Sequence, residues 1–383
     1  MASKAQENFN QIYLDNNAST PIDPQVATIM QQAIEGAFGN PSSMHWAGAP
    51  AHATVETARQ QVADLLGCSP QEIVFTSGGS ESNNLALKGL YFPRQNPGAH
   101  IITTQIEHPA IVAPCRFLER LGARITWLPV DATGRIAADD LRQAITDDTT
   151  LISIMHANNE VGTIQPIEEC ARIAQEHNIP LHTDAAQSVG KIPTRVDELR
   201  VDFLTIAGHK LYAPKGVGAL YIRNGIEVEP LIHGASHESG RRAGTESALL
   251  TAALGKACEL ASDLSAIADV KALRDRLWTG LRENLGDRIV LNGHAEERLP
   301  NTLNISFVGQ IGAEILEKIP EVAASTGSAC HTGRVELSPV LEAMGVSQET
   351  GAGAIRFSLG RATTAKEIDT VVARLIQVLG PSA

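Results

Sequence analysis

The sequence predicts an α/β protein, in which a mostly parallel sheet of seven strands is covered by helices and is followed by a smaller α+β domain. Two observations lead to this prediction. Apolar, strand-like runs alternate with amphipathic helical stretches over residues 72–223, and a stretch with few helix breakers then leads into a last part of the chain. Such alternation is typical of parallel strands joined by helical crossovers.

The elements follow in order along the chain. Two amphipathic helices are predicted first, with apolar faces formed by Val26, Ile29, Met30, Ala33, Ile34 and Ala37 and by Val55, Ala58, Val62 and Leu65. The predicted strands are residues 72–77, 100–105, 124–130, 150–156, 180–184, 202–210 and 217–223. A long helix is then expected from about Glu246 to about Gly286.

The expected domain organisation has three parts. Residues 1–20 form an N-terminal segment that packs with the small domain, residues 21–262 form the large domain, and residues 263–383 form the small domain. The small domain contains Cys330 on a mobile loop.

Composition limits the function. Among 383 residues, 31 Lys and Arg stand against 43 Asp and Glu, and this net charge of -12 disfavours binding to nucleic acid or to a membrane surface. The five cysteines are scattered singly, which fits neither a disulfide framework nor a structural metal site. Because the N-terminus lacks the apolar stretch of a signal peptide, we expect a cytoplasmic protein.

The first motif with chemical meaning is 75-FTSGGSESNNLALKG-89. A predicted strand ends in Ser-Gly-Gly-Ser and a helix opens there, so free backbone N–H groups converge on one point that suits a phosphate. The lysine of a nucleotide P-loop and the glycine pattern of a dinucleotide site are both missing. By itself the motif is also compatible with an ordinary strand-to-helix turn.

Two further strand ends carry reactive groups. Asp184 ends one apolar strand and the pair His209-Lys210 ends another, at the edge where ligands collect in open α/β sheets. A lysine amine, a carboxylate and a phosphate-binding turn are together the parts that hold pyridoxal phosphate. Cys330 lies in 324-ASTGSACHTG-333, a small and polar segment typical of an accessible, reactive thiol, although an incidental loop cysteine fits the same pattern.

With these motifs the chain resembles the cysteine desulfurases of the nitrogen-fixation and iron–sulfur-assembly type. They are fold-type I pyridoxal-phosphate enzymes of the class V aminotransferase group, and the resemblance extends from about residue 12 to residue 364. The matching segments are 12-IYLDNNAST-20, 39-GNPSS-43, 76-TSGGSESNN-84, 107-EHPA-110, 156-HANNEVG-162, 183-TDAAQS-188, 208-GHK-210, 241-RRAGT-245, 327-GSAC-330 and 356-RFSLGR-361.

The resemblance implies pyridoxal 5′-phosphate as cofactor and assigns residues to it. Lys210 resembles the Schiff-base lysine, Asp184 the partner of the pyridinium nitrogen, and His108 the catalytic imidazole that stacks on the cofactor ring. Gln187 matches a contact to the phenolic oxygen. The positions that match phosphate contacts are Gly79, Ser80 and His209.

The resemblance also implies the reaction and the partners. Asn159 and Arg356 match the pair that binds the substrate carboxylate, and Cys330 resembles the nucleophile that accepts sulfur. The implied reaction converts L-cysteine to L-alanine and leaves a persulfide on Cys330, which is passed to an acceptor protein for iron–sulfur assembly or thiolation. Thr245 resembles a residue that reaches the phosphate of the neighbouring subunit, which implies a homodimer with shared active sites.

Two departures from the family pattern keep alternatives open. Ala207 stands where many members carry a phosphate-binding serine, so one hydroxyl contact is missing. The segment 331-HTGRVELSPVL-341 is also reminiscent of selenocysteine lyases, which are the first alternative. A second alternative, of another class, is a non-catalytic cofactor-binding subunit that serves as a docking platform in a sulfur relay.

Overall fold

A computed structural model of the chain describes residues 11–94, 98–326, 328–331 and 334–380. Helices α1 to α13 span Pro24–Gly36, Gly48–Leu66, Gly79–Tyr91, Pro109–Arg120, Ala138–Ala144, Ile167–Glu176, Val196–Leu199, Ala248–Ala261, Ile267–Leu285, Gly312–Glu317, Pro339–Ala343, Gln348–Ala352 and Ala365–Leu379. Strands β1 to β15 span Ile12–Tyr13, Ile73–Thr76, His100–Thr104, Arg124–Leu128, Thr149–Ser153, Leu181–Asp184, Phe203–Ala207, Gly218–Ile222, Ile289–Asn292, Thr302–Phe307, Val322–Ala323, Ser325–Thr326, Ser328–His331, Arg334–Leu337 and Ala354–Ser358. Among the described residues, no helix has both the length and the apolar character that a membrane crossing requires.

The main sheet has the strand order β2-β8-β7-β6-β5-β3-β4. From β4 to β7 the neighbouring strands run parallel, and β8 is antiparallel to both β7 and β2. Each of the seven predicted strands is present, so the predicted mostly parallel sheet is confirmed.

Helices cover both faces of this sheet because its strands are apolar on both sides. On β7, Leu204 and Ile206 pack in one core with residues of α1, α2 and α8. Phe203, which precedes Leu204 and therefore faces the other side of the sheet, packs in a second core with residues of α3 and α4. The main sheet and the helices on its two faces form three layers. The carboxyl ends of the parallel strands stay uncovered along one edge of the sheet.

The C-terminal part has a separate antiparallel sheet, ordered β12-β15-β10-β9. Helices α9 and α13 pack on it through Leu277, Leu281, Val371 and Leu375. Strand β1 pairs in parallel with β11, and Ile12 joins the same core. The boundaries at residues 20 and 262 stay a prediction.

Two predictions about helices were wrong. The single helix expected from Glu246 to Gly286 is two helices, α8 and α9, separated at Ser262–Ala266, where the Asp263 carboxylate accepts the backbone N–H of Ser265 at 2.8 Å. Such local side-chain hydrogen bonds compete with helical ones. On α1, Ile34 is 64% exposed and not on the buried face, because eight residues of helix rotate it about 80° away from Val26.

Candidate active site

The carboxyl edge of the main sheet gathers the predicted catalytic groups. Strand β6 ends at Asp184, and β7 ends at Ala207 and continues into a 3₁₀ turn, Gly208–Lys210. These strands are parallel neighbours, with Asp184 in register with Thr205. A carboxylate and an amine are therefore delivered to adjoining strand ends.

A cavity of about 300 Å³ opens at this edge. Eight of the predicted site residues line it, namely Gly79, Ser80, His108, Asn159, Asp184, Gln187, His209 and Lys210. A larger cavity of about 660 Å³ is lined by residues 41–73 and 236–246 and contains none of these side chains. The smaller cavity is the candidate active site because the reactive groups converge there.

Lys210 places an amine in the cavity. Its Nζ donates a hydrogen bond to the backbone carbonyl of Asn17. Burial, and after it the positive charge of Arg356, lowers the pKa of Lys210 to about 8, although Asp184 and Asp15 oppose the shift. A buried amine with this pKa has a substantial unprotonated fraction near neutral pH, as a nucleophile or a base requires.

Asp184 is fixed by two hydrogen bonds. Asn83 Nδ2 donates to Oδ2 at 2.7 Å, and the backbone N–H of Ala186 donates to Oδ1 at 2.9 Å. The carboxylate is 7% exposed. The two hydrogen bonds hold the carboxylate at the cavity wall, where it can accept a hydrogen bond from a protonated ring nitrogen.

His108 is the N-cap of α4, which places its ring beside the cavity. Its Nδ1 accepts the backbone N–H of Ala110 at 3.1 Å, so a neutral ring carries its proton on Nε2. Burial lowers the pKa of His108, with Lys210 acting in the same direction and Asp184 against it. A neutral imidazole is suited to stack on a planar ring.

The other end of the cavity is the turn between β2 and α3. Gly78 has φ 144°, a conformation that only glycine adopts readily, and the helix opens at Gly79. A Cβ on Gly79 would meet the Cβ of Ala207 at 3.3 Å, so the turn lies close against β7. Burial, with Lys210 next, lowers the pKa of His209 to about 4 and leaves it a neutral hydrogen-bonding group. This end of the cavity suits a phosphate.

Arg356 on β15 faces the site from the small sheet. Its Nη1 donates to the carbonyl of Asn159 at 3.0 Å, and Nη2 donates to Asp15 Oδ1 at 2.7 Å and to Ser325 Oγ at 2.9 Å. Its Nε is buried and has no hydrogen-bond partner among the described residues. Arg356 is held in place but does not line the 300 Å³ cavity.

Comparison with known proteins decides the family. The aminotransferase class-V family model matches residues 12–371. Over 376 residues the chain is 47% identical to a cysteine desulfurase IscS of Dictyoglomus turgidum, covering 96% of this chain and 95% of that protein. Over the same length it is 44% identical to a cysteine desulfurase IscS of Serratia proteamaculans, covering 96% and 93%. A solved NIFS-like protein superposes with a TM-score of 0.90 at 38% identity, covering 96% and 99%.

The chain belongs to the aminotransferase class-V family. Its high-coverage relatives bear the name cysteine desulfurase, and the resemblance and fold type predicted from the motifs are confirmed. The cofactor of this family is pyridoxal 5′-phosphate, as predicted.

The residues of the cavity fit that cofactor. Asn83 lines the cavity, and its buried Oδ1 has no hydrogen-bond partner among the described residues, so a protonated ring nitrogen beside Asp184 would find two acceptors. At Gly78 an added Cβ would meet no atom within 4 Å, so the turn leaves room for a phosphate. Without a hydroxyl at Ala207, the nearby polar side chains for that phosphate are Ser80 and His209.

Besides Arg356, two further predicted residues are absent from the described lining of the cavity. The backbone of Cys330 is in β13, opposite Val335 in a hairpin with β14, and its side chain is outside the described residues. Thr245 is exposed and does not line the 300 Å³ cavity of its own chain.

Sequence reasoning missed Asn17. It is fully buried, with Nδ2 donating to Thr302 Oγ1 at 2.9 Å and Oδ1 accepting from Asn301 Nδ2 at 3.0 Å. Its backbone carbonyl accepts both Lys210 Nζ and Gln187 Nε2, the latter at 2.9 Å. Asn83 was also missed, although its helical spacing of four from Gly79 was a usable signal.

Proposed function

We propose that the protein converts L-cysteine to L-alanine, with a persulfide formed on Cys330 as the other product. The observation that carries this proposal is the placement of the Lys210 amine and the Asp184 carboxylate in one cavity of a desulfurase-family chain. In this reaction L-cysteine and the Cys330 thiol give L-alanine and the Cys330 persulfide. The sulfur atom that the substrate loses is the one that Cys330 gains, and the substrate keeps its carbon skeleton and amine.

In this proposal Lys210 Nζ would hold the cofactor until the substrate amine takes its place, and the freed Lys210 amine would then move a proton. The bound cofactor supplies a sink for the electron pair left when the α-carbon loses its proton. Lys210 Nζ takes that proton, since its lowered pKa allows it to act as a base near neutral pH. Asp184 keeps a proton on the ring nitrogen, and His108 supports the ring from the α4 side.

Arg356 and Asn159 bind the substrate carboxylate. A guanidinium offers two parallel donors to a carboxylate, and Asp15, Ser325 and the Asn159 carbonyl already fix its plane. The thiolate of Cys330 then takes the sulfur atom of the substrate, and an acceptor protein receives it from the persulfide. We propose an iron–sulfur scaffold or a thiolation carrier as that acceptor.

We also propose a homodimer with shared sites. Four large apolar side chains between residues 34 and 46 are strongly exposed, and we call them the 34–46 patch: Ile34 at 64%, Phe38 at 72%, Met44 at 101% and Trp46 at 81%. The rings of Phe38 and Trp46 contact each other edge to face. An apolar cluster of this kind favours burial against a partner, and the exposed Thr245 would then be available to the partner's site.

The names of the relatives favour desulfurase activity over the selenocysteine lyase and docking-subunit alternatives. Alanine release from L-cysteine and from L-selenocysteine, measured for wild type and Cys330→Ala, tests the assignment. We expect Cys330→Ala to lose release from L-cysteine, while Cys68→Ala, a half-buried control, keeps it. Release from L-selenocysteine alone would favour the lyase.

A further inference from the structure

Lys191 is a buried lysine that the proposed reaction does not use. It is 8% exposed and follows β6 by a tight turn, in which the backbone N–H of Lys191 donates to the Ser188 carbonyl at 2.9 Å. Gly190 has φ 72°, and a Cβ there would meet Leu211 Cδ1 at 2.5 Å. The turn therefore requires glycine, and it folds Lys191 back over the residues that follow Asp184.

Within the part of the chain that the structure describes, the amine of Lys191 donates its hydrogen bonds to Gln187. Nζ donates to the backbone carbonyl of Gln187 at 2.9 Å and to its side-chain Oε1 at 3.2 Å. The charged groups that act on it are Lys210, Arg356 and Arg361, all cations, and among the residues that the structure describes no carboxylate pairs with it. Burial, with these cations next, lowers the pKa of Lys191 to about 7. An amine buried without a carboxylate costs stability, so its presence calls for a role at the site.

The contacts of Gln187 fix the orientation of its amide. The Asn17 carbonyl can only accept, so Nε2 must face Asn17 at 2.9 Å, and Oε1 is left to accept from Lys191 Nζ at 3.2 Å. Gln187 is 4% exposed and lines the cavity. With Oε1 held by Lys191, only the N–H groups of the amide remain for a ligand.

We propose that Lys191 is a positioning residue that acts through Gln187, holding the amide so that it donates to the phenolic oxygen of the cofactor. This inference rests on the proposed function and on the family resemblance, which matches Gln187 to a contact with that oxygen. Without Lys191 the amide keeps only its contact to the Asn17 carbonyl, so its N–H groups are held less firmly toward an oxygen that needs a donor.

The test is a double-mutant cycle on the full chain, with Lys191→Met, Gln187→Met and both together. The dissociation constant for pyridoxal 5′-phosphate is measured on apo-protein, and the pH midpoint of the visible band is measured on holoenzyme. We expect each single variant to weaken binding about tenfold, as the loss of one hydrogen bond does, and to move the midpoint to higher pH. The double variant should also lose about tenfold, because both changes remove the same contact.

Two controls separate positioning from a structural role. Lys366→Met, at an exposed lysine of α13, should change neither reading. Apo Lys191→Met should resist urea at least as well as wild type, because methionine removes a buried amine that has no carboxylate partner. If Lys191→Met fails to fold, Lys191→Gln keeps an N–H donor and should lose less cofactor affinity than Gln187→Met.

A Lys191→Met holoenzyme with wild-type affinity and midpoint would overturn the inference. A double variant that loses about a hundredfold would also overturn it, because the two residues would then act independently. Failure of the proposed function looks different: wild type itself would then bind no cofactor or release no alanine from L-cysteine.

Discussion

At the scale of single residues, the chemistry depends on the amine of Lys210. Burial and the nearby Arg356 disfavour its ammonium form and outweigh Asp184 and Asp15, which favour it. The folded chain therefore holds a larger unprotonated fraction than an ordinary lysine, whose pKa is near 10.4, and this fraction falls as the pH drops below about 8.

We predict that apo-protein combines with pyridoxal 5′-phosphate faster as the pH rises, about tenfold per unit well below pH 8, and levels off above pH 8. Stopped-flow absorbance of the visible band measures this rate. Arg356→Met should move the plateau to higher pH, because a positive charge is removed from beside the amine. A wild-type rate that still climbs at about pH 10 would contradict the assignment.

The second residue-scale prediction concerns Arg356. Arg356→Lys removes the planar fork, and a lost hydrogen bond to a charged group costs about 2 kcal/mol, so KM for L-cysteine should rise roughly thirtyfold. Arg276→Lys is the matched control, since Arg276 pairs with Asp369 on the exposed surface. Equal KM values for the two variants would show that Arg356 does not bind the substrate carboxylate.

Residue-level prediction from sequence worked where a side chain carries the chemistry. Lys210, Asp184 and His108 stand at strand or helix ends and could be named from the motif order. Asn17 could not, because its backbone carbonyl makes the contact and a carbonyl has no sequence signature. Lys191 was missed for a related reason: only the turn at Gly190 brings it to Gln187.

At the scale of elements, the turn after β6 connects the fold to the site. We predict that Gly190→Ala destabilises the chain by about 3 kcal/mol, from about 1 kcal/mol of backbone strain plus a clash with Leu211. Gly309→Ala has a similar φ of 71° and open space around the new Cβ, so it should cost about 1 kcal/mol. Urea unfolding of both variants measures the difference, and equal midpoints would show that the turn tolerates a side chain.

The strands of the main sheet were predictable from the sequence. They are buried on both faces, so their apolar runs have little polar interruption. The break between α8 and α9 was not, because neither proline nor glycine marks it and Asp263 acts through a local hydrogen bond. The antiparallel sheet of the small part was not assigned strand by strand. Its β12 has two residues, too few for a periodic pattern.

At the scale of the whole molecule, the 34–46 patch predicts the oligomeric state. Trp46→Asp should convert a dimer to monomers and weaken cofactor retention, because Thr245 would no longer reach a partner's site. Sedimentation and retained visible absorbance measure the two effects. Val308→Asp, at an apolar side chain that is 38% exposed elsewhere, is the control. A fully active Trp46→Asp monomer would rule out shared sites.

The central claim is that sulfur passes from L-cysteine to Cys330. The most direct measurement is mass spectrometry of the peptide containing Cys330 after one turnover without an acceptor, with trapping of persulfides and parallel counting of alanine. The account predicts one added sulfur on Cys330 for each alanine released, and no persulfide in Cys330→Ala. Alanine released at the wild-type rate by Cys330→Ala, or the added sulfur found on another cysteine, would contradict it.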